Sequence, residues 1–475
     1  MLFNSAEFII FFVVLYGLYV VLPHRPQNLL LLAGSYIFYA AWDWRFLSLI
    51  LISTVIDYYC AHAIDRSDMP RRRKAFLTVS MVSNLGLLGI FKYSNFFVHS
   101  MISLLGRFGL EVQPLTLNII LPMGISFYTF QTMSYTIDVY RGQLKPAVNI
   151  LDFALYVTLF PQLVAGPIER ASNLFPQVIR PRKISRYGIT HGAYLIFWGY
   201  FQKVFIADNI APLVEKLFEG SAPYNGVHVL LGLYAFALQI YCDFAGYSNI
   251  ARGLAFCMGF RFMLNFNLPY FATNPSDFWA RWHISLSTWL RDYLYIPLGG
   301  NRKGTWFTYR NLALTMILGG LWHGAAWNFV LWGIYQGILL IGHRWYRAVR
   351  PFVAPAVPWK AAALRVLHTV AFFHLVCLGW LLFRAESLHQ IGAMLSALFT
   401  GFVWPSQLVL EHLVAAILFF GGLMMVIEWF QFRSSDLYVV LKWPLPVRVA
   451  VYLLMFYGLV IFGVQDAQSF IYFQF

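Results

Sequence analysis

Charged residues are scarce in this chain of 475 residues: Asp, Glu, Lys and Arg make up 11%, against roughly 25% in an average soluble domain. Hydrophobic residues make up 60% and aromatic residues 19%. This composition excludes a water-soluble enzyme, a disordered protein and a secreted disulfide scaffold, and it indicates a polytopic membrane protein. Apolar runs such as residues 408–427 lack the alternation of an outer-membrane strand, so helices are predicted to cross the bilayer.

Cysteine is also rare. The four cysteines, Cys60, Cys242, Cys257 and Cys377, each lie alone in apolar surroundings, without a CxxC pair or a histidine-rich cluster. We therefore predict small core residues and no metal site. The sequence also lacks the GxSxG elbow that presents a serine nucleophile.

Acidic residues are the scarcer charge: 20 Asp and Glu face 34 Lys and Arg, a formal net charge of +14. The basic residues lie mostly in short loops between apolar segments, such as residues 71–74 and 302–303. The positive-inside bias of membrane proteins explains this distribution, so nucleic-acid binding is not predicted. Basic residues follow the first and third apolar segments, and the turn at residues 43–45 is almost neutral, which predicts an extracytoplasmic N-terminus.

The apolar segments predict an all-α integral membrane fold with about eleven transmembrane helices plus re-entrant and interfacial helices around a central tunnel. No internal repeat is visible, so a single domain over residues 1–475 is predicted. Residues 8–22 lack a basic leader and a cleavage site and are interpreted as a retained span. The other segments are 28–43, 46–63, 75–92, 116–136, 151–166, 190–207, 227–248, 311–342, 361–383, 408–430 and 446–464.

The stretch of residues 270–304 alternates Trp, Phe and Leu with charged residues at helical spacing, which is typical of a helix at an interface or beside a wet cavity. Asn274 or Ser276 would cap its start, and Pro297 with the following glycines would end it. His283 lies within this stretch. Its position beside Arg281 also fits a purely interfacial histidine.

One histidine lies at membrane depth. Residues 311–342 contain no Asp, Glu, Lys or Arg, yet His323 lies among them. An ionisable residue in lipid is costly, so a functional role is the first hypothesis, and a hydrogen bond to a neighbouring helix is the alternative. A single helix of this length would span about 48 Å, longer than a bilayer core of about 30 Å, so we predict a break near the glycines.

The small residues around His323 leave room for a tunnel or, alternatively, permit close helix packing. The predicted tunnel lining consists of Trp282, Trp322, Gly320 and Gly324. Asp243, inside another apolar run, is predicted to support the fold by pairing with Arg252 or Arg281 or by capping a broken helix.

Several motifs resemble the membrane-bound O-acyltransferase family, and within it the alginate O-acetyltransferase branch. The resemblance rests on the segment from Phe278 to Tyr293, the following LGGNR, and GGLWHG at residues 319–324, of which the two histidine motifs are highly specific. Weaker matches lie at residues 122–131, 160–168, 239–248 and 382–385. The resemblance implies that His323 is the catalytic intramembrane histidine and that His283 is the second motif histidine.

The resemblance further implies an enzyme of the bacterial inner membrane with no bound cofactor, which moves an acetyl group from cytosolic acetyl-CoA towards an extracytoplasmic polysaccharide. Arg302 and Lys303 would bind the nucleotide of the donor. A partner with a catalytic serine on the extracytoplasmic side would be an acceptor of the acyl group. Beyond about residue 390 the resemblance is one of hydropathy only, so the acceptor stays open.

Acyl transfer to an alcohol needs a base for the hydroxyl proton and a donor to the oxyanion. Neutral His323 suits the first task, and Asn301, Asn328 or His283 could supply the second. The rival hypothesis is a transporter or acyl-CoA channel in which His323 gates or relays protons. The lack of a repeat between halves and the two separate histidine motifs favour the enzyme.

Overall fold

The computed structural model describes residues 1–110, 120–163, 166–219, 223–350, 357–404, 407–464 and 470–471. Helix accounts for 79% of the described residues, and these residues form no strand, which confirms the all-α prediction. Within this part of the chain, the α-helices are α1 Ala6–Val21, α2 His24–Asp43, α3 Leu47–Asp65, α4 Pro70–Leu88, α5 Ser94–Gly106, α6 Ile125–Tyr140, α7 Ile150–Thr158, α8 Phe160–Leu163, α9 Ala171–Ile179, α10 Arg186–Tyr200, α11 Asp208–Phe218, α12 Gly226–Cys257, α13 Pro275–Trp279, α14 Ile284–Leu290, α15 Thr305–His323, α16 Trp327–Val349, α17 Pro358–Arg384, α18 Leu388–Thr400, α19 Gln407–Ser434 and α20 Leu445–Phe462.

Short helices of other types join several of these elements. The 3-10 helices are Trp44–Phe46, Pro269–Phe271 and Val439–Lys442, and the π-helices are Gly89–Tyr93, Phe201–Ala207 and Arg291–Tyr295. The chain forms two compact units, one of Met1–Ile196 with Ile250–Met263 and the other of Phe197–Asn249 with Leu264–Phe475. The single domain stays a prediction.

Six helical stretches within the described residues are long and apolar enough to cross a membrane, so the protein is an integral membrane protein, while the predicted count of about eleven spans is not confirmed. Several predicted spans are divided into shorter helices: the segment predicted at residues 151–166 contains α7 and α8. Residues 116–119 of the segment predicted at 116–136 lie outside the described residues. The six stretches are His24–Asp65, Pro70–Gly106, Gly226–Cys257, Pro358–Arg384, Leu410–Ser434 and Leu445–Phe462.

In the first unit, α3, α4 and α6 bury a small polar network. The carboxylate of Asp57 accepts hydrogen bonds from the hydroxyl of Ser80 and the amide of Asn84. These donors satisfy a group that would be costly if it were buried alone.

The second unit contains a buried ion cluster in which Asp243 pairs with a residue other than the predicted Arg252 or Arg281. Asp243 on α12 lies 2.8 Å from the ammonium of Lys203, which also binds Asp208 at 2.7 Å. The other oxygen of Asp243 accepts a hydrogen bond from the backbone of Ile471. The structural role predicted for Asp243 fits this arrangement, but the partner is Lys203. The predicted partner Arg281 binds Asp277 one turn away on its own segment.

The helix predicted to start at Asn274 or Ser276 and to end at Pro297 is not continuous. Asn274 caps α13 as expected, with its side chain accepting a hydrogen bond from the backbone of Asp277. The chain then leaves the helix, because His283 takes a left-handed conformation with φ 42° and ψ 53°, which cannot continue a right-handed helix. Two short helices and a π-helix therefore replace the long one. The four cysteines are free and buried, as predicted.

Candidate active site

His323 is the last residue of α15. Gly324 follows in an extended conformation, with φ −159° and ψ 150°, and α16 begins at Trp327. This geometry confirms the break predicted near the glycines. The histidine side chain therefore lies where two helices meet, and only 4% of His323 is exposed.

An aromatic cage surrounds the His323 imidazole, formed by Trp322, Trp332 and Phe383. Their ring centroids lie 5.1, 5.1 and 5.5 Å from that of His323. All three rings are almost completely buried. The cage excludes water, and electrostatic interactions inside it are stronger than in solution.

His283 lies against the same cage. Its ring centroid is 6.4 Å from that of His323 and 6.0 Å from that of Trp322, and the residue is fully buried. His283 therefore lies in the protein interior and not on its surface. Left-handed backbone is uncommon for a residue other than glycine, and such strain is typical of functional sites.

The Asn265 side chain holds His283. Its Oδ1 lies 3.1 Å from Nδ1 of His283 and accepts hydrogen bonds from the backbone and the hydroxyl of Ser285, at 3.4 and 2.9 Å. Its amide nitrogen donates to the hydroxyl of Ser248. A backbone N–H can only donate, so the atom facing it must be the amide oxygen. Nδ1 of His283 must then carry the proton that binds this oxygen.

This tautomer leaves the lone pair of His283 on Nε2. Burial lowers the pKa of His283 to about 3, because the ring loses the hydration that stabilises its charged form. The imidazole is therefore neutral at physiological pH. In this tautomer, Nε2 can only accept a hydrogen bond.

Comparison with known proteins shows the family of the chain that carries this site. A family model described as MBOAT, membrane-bound O-acyltransferase family, matches residues 42–383, which include both histidines. The chain belongs to the membrane-bound O-acyltransferase family. It is a membrane O-acyltransferase, and its relatives support an O-acetyltransferase.

Three relatives of this acyltransferase cover most of its length. It is 45% identical to the probable alginate O-acetylase AlgI of Azotobacter vinelandii, over 85% of this chain and 79% of the relative. It is 43% identical to the probable alginate O-acetylase AlgI of Pseudomonas aeruginosa, over 89% and 81%. It is 35% identical to the peptidoglycan O-acetyltransferase of Helicobacter pylori, over 82% and 78%. These relatives give no support to the rival hypothesis of a transporter or channel.

Of the two asparagines predicted to bind the oxyanion of the reaction, Asn328 is hydrogen-bonded to the backbone and Asn301 lies on the surface. The amide of Asn328 donates to the backbone oxygens of Phe383 and Ala385, at 3.4 and 3.0 Å, and so fixes the end of α17 that carries a cage ring. Asn301 lies in an exposed turn. His283 cannot donate from Nε2 in the tautomer that Asn265 imposes.

The two glycines predicted to line a tunnel lie against protein atoms. A side chain on Gly320 would meet the backbone of Phe329 and Gly333 on α16, so this glycine permits close packing of two helices, as the alternative interpretation held. A side chain on Gly324 would meet the ring of Phe329. Leucine at Gly324 would therefore displace that ring and would not simply fill a passage.

The other predicted positions divide between the core and the surface. Trp322 belongs to the cage. Trp282 is buried in a neighbouring aromatic cluster, 4.9 Å from Trp380 and 5.0 Å from Phe266 between ring centroids. Arg302 and Lys303 lie in the same exposed turn as Asn301, where their charges are accessible.

Asn265, Trp332 and Phe383 were not predicted as site residues from the sequence. They come from the loop after α12, from α16 and from α17, and no local pattern links them to the histidine motifs. For Asn265 the available signal is the polar pair Asn265 and Asn267 within an otherwise apolar stretch, and for Phe383 it is the weak family match at residues 382–385. Only the fold shows that Asn265 faces His283.

Proposed function

We propose that this acyltransferase moves an acetyl group from cytosolic acetyl-CoA across a bacterial inner membrane for O-acetylation of an extracytoplasmic polysaccharide such as alginate. The names of the relatives support O-acetylation of a polysaccharide, since two are named probable alginate O-acetylase and one is named peptidoglycan O-acetyltransferase. The acceptor at the membrane is the hydroxyl of the polymer or of a partner protein with a catalytic serine. The N-terminus is extracytoplasmic in this proposal, and about eleven spans surround a tunnel.

The observation that carries the proposal is the buried pair of His283 and His323, whose ring centroids lie 6.4 Å apart. A hydroxyl oxygen that hydrogen-bonds a nitrogen of each ring, at about 2.8 Å, fits a separation of this size. The pair thus forms a site for one small reacting group in surroundings that exclude water.

In the proposed reaction, His323 removes the proton of the acceptor hydroxyl while its oxygen attacks the thioester carbonyl carbon. A carbon–oxygen bond forms and the carbon–sulfur bond breaks. The proton held by His323 passes to the departing sulfur, so the products are the ester and a free thiol. No net proton is gained or lost, and the histidine returns to its neutral form.

His283 positions a substrate in this scheme. Its Nε2 lone pair accepts a hydrogen bond from an N–H or O–H group of the donor or acceptor. Asn265 keeps the ring in the required tautomer by accepting the proton on Nδ1. This role replaces oxyanion donation for His283.

Trp332 supplies the oxyanion donor in the proposal. Its indole N–H is buried and has no hydrogen-bond partner among the described residues, and its ring lies 5.1 Å from that of His323. A buried N–H without an acceptor is costly, and this cost is recovered when a substrate oxygen becomes negatively charged beside it. Arg302 and Lys303, in the exposed turn, bind the nucleotide of acetyl-CoA at the cytosolic surface.

Purified protein in sealed vesicles tests the donor. Acetyl-CoA labelled in its acetyl group is added on the side of the basic loop at residues 71–74, and release of free CoA thiol is measured with a polysaccharide acceptor inside. We expect thiol release that requires the enclosed acceptor and label that becomes protected inside. Thiol release with palmitoyl-CoA but not with acetyl-CoA would contradict the proposed donor.

A further inference from the structure

A groove between α17 and α19 lies outside the candidate active site. It has a volume of about 500 Å³, and its lining includes Phe271, Arg365, Thr369, Trp429, Phe432 and Arg433. Phe271 and Phe432 stack face to face with ring centroids 4.6 Å apart, which gives the groove a rigid apolar wall. The proposed acyl transfer uses none of these residues.

The two arginines give the groove its charge. Both side chains are exposed, and neither forms an ion pair with a carboxylate in the part of the chain that the structure describes. Two guanidinium groups at one groove provide planar donors that suit a phosphate. The ligand chemistry indicated is therefore anionic.

The position of the groove places it at a membrane surface. Arg365 lies two turns after the start of α17, and Arg433 lies one residue before the end of α19. Trp429 lies one turn before that end and is half exposed, as tryptophans are in the interfacial belt of a bilayer. The basic end of α16, with Arg344, Arg347 and Arg350, directly precedes α17 in the chain.

The groove also has an apolar side that a nucleotide or free phosphate would not use. Val366 and Val370 line it and are 61% and 49% exposed on the face of a membrane span. A ligand with a phosphate at the arginines and a hydrocarbon chain along these valines would match both parts. We propose that this groove binds an anionic phospholipid, with the headgroup phosphate between Arg365 and Arg433.

Lipid retention by the purified full chain tests the assignment. The protein is exchanged into detergent with phosphatidylglycerol or phosphatidylcholine, and bound lipid is measured by native mass spectrometry. We expect preference for phosphatidylglycerol. Each basic residue near an anionic surface contributes about fivefold in affinity, so the Arg365→Gln/Arg433→Gln variant should bind phosphatidylglycerol about 25-fold more weakly.

The matched control is Arg344→Gln/Arg347→Gln, which removes two arginines near the same surface that do not line the groove. It should retain the lipid preference. Equal loss in both double variants, or no preference in the unmodified protein, would overturn the proposal, because either result means that no specific lipid site exists.

Two further measurements test whether the groove itself is needed and whether it binds coenzyme A in place of lipid. Thr369→Trp fills the groove while keeping both charges, and it should also weaken lipid binding; it replaces the arginine variant if that variant does not fold. Coenzyme A alone is then tested by thermal unfolding. Stabilisation by coenzyme A that Arg365→Gln/Arg433→Gln abolishes, with lipid retention unchanged, would assign the groove to the donor nucleotide and overturn the lipid site.

Discussion

The side chain of Asn265 determines which nitrogen of His283 carries a proton. Its oxygen faces the backbone N–H of Ser285 as well as Nδ1 of His283, and only an acceptor can serve both. The buried histidine is thus a neutral acceptor at Nε2, with its pKa lowered to about 3 by the loss of hydration.

Replacing Asn265 by aspartate should make His283 titrate in the working range. A carboxylate beside Nδ1 raises the pKa of the imidazole, so Nε2 gains a proton as the pH falls and its acceptor role is lost. We expect kcat of Asn265→Asp to fall on the acid side between about pH 8 and 5, where the unmodified protein shows no titration of His283. The measurement is kcat against pH.

Ser248→Ala is the control for this variant, because it removes only the hydrogen bond to the amide nitrogen of Asn265. Its pH profile should match that of the unmodified protein. Identical profiles for Asn265→Asp and the unmodified protein would show that Asn265 does not set the protonation of His283.

Trp332 is the proposed donor to the oxyanion, and phenylalanine removes its N–H while keeping an aromatic ring in the cage. Loss of one oxyanion donor typically costs about 10²-fold to 10³-fold in kcat. We expect Trp332→Phe to lower kcat by this order with little change in KM, because the donor acts in the transition state. A normal kcat would remove Trp332 from the mechanism.

Among the elements, the junction of α15 and α16 determines where His323 lies. Gly320 and Gly333 let the two backbones approach, and the extended Gly324 ends α15 directly after the histidine. The helix pair thus presents His323 at its turn, with Trp322 before it and Trp332 after the turn. Close packing, and not an open channel, explains these glycines.

The buried cluster of Lys203, Asp208 and Asp243 supports α12, which also carries Phe244 against the ring of His283. Lys203→Met would leave two buried carboxylates without their cation, and breaking such a pair costs roughly 3 to 5 kcal/mol. We therefore expect a clear loss of thermal stability in detergent, measured as a lower Tm.

The control is Arg281→Met, which breaks the partly exposed pair with Asp277 and should cost about 1 kcal/mol or less. Equal shifts in Tm for the two variants would mean that the buried cluster contributes no more than a surface pair.

At the scale of the whole molecule, the orientation in the membrane follows from the basic loops. The loop between α3 and α4 lies beside the loop after α6, because Lys145 binds Asp65 at 3.2 Å. Cysteines introduced at Ser67 and Val148 should therefore both react with a reagent on the cytosolic side, and a cysteine at Trp44 with a reagent on the other side. The four native cysteines are buried, which keeps background labelling low.

Labelling of Ser67→Cys from outside intact cells would reverse the proposed orientation. Labelling of Ser67→Cys and Val148→Cys from opposite sides would contradict the arrangement of the loops themselves.

The all-α membrane fold and the position of His323 could be predicted from the sequence, because burying a charged or polar side chain in lipid is energetically costly. The lack of charge around His323 pointed to that residue, and the excess length of its apolar segment predicted a break near the glycines, which the structure places at Gly324. The left-handed backbone at His283 could not be predicted, since an amphipathic pattern does not report the φ of one residue. Asn265 was not predicted, and Lys203 was not predicted as the partner of Asp243, because their contacts are with segments distant in sequence.

The central claim is that His323 performs the acyl transfer, and the most direct measurement compares two histidine variants in sealed vesicles. His343 lies on α16 away from the cage and is partly exposed, so His343→Ala is the matched control for His323→Ala. The account predicts that His323→Ala inserts and unfolds like the unmodified protein yet releases no thiol from acetyl-CoA, while His343→Ala keeps full activity. Normal acyl transfer by a correctly inserted His323→Ala protein would contradict the account.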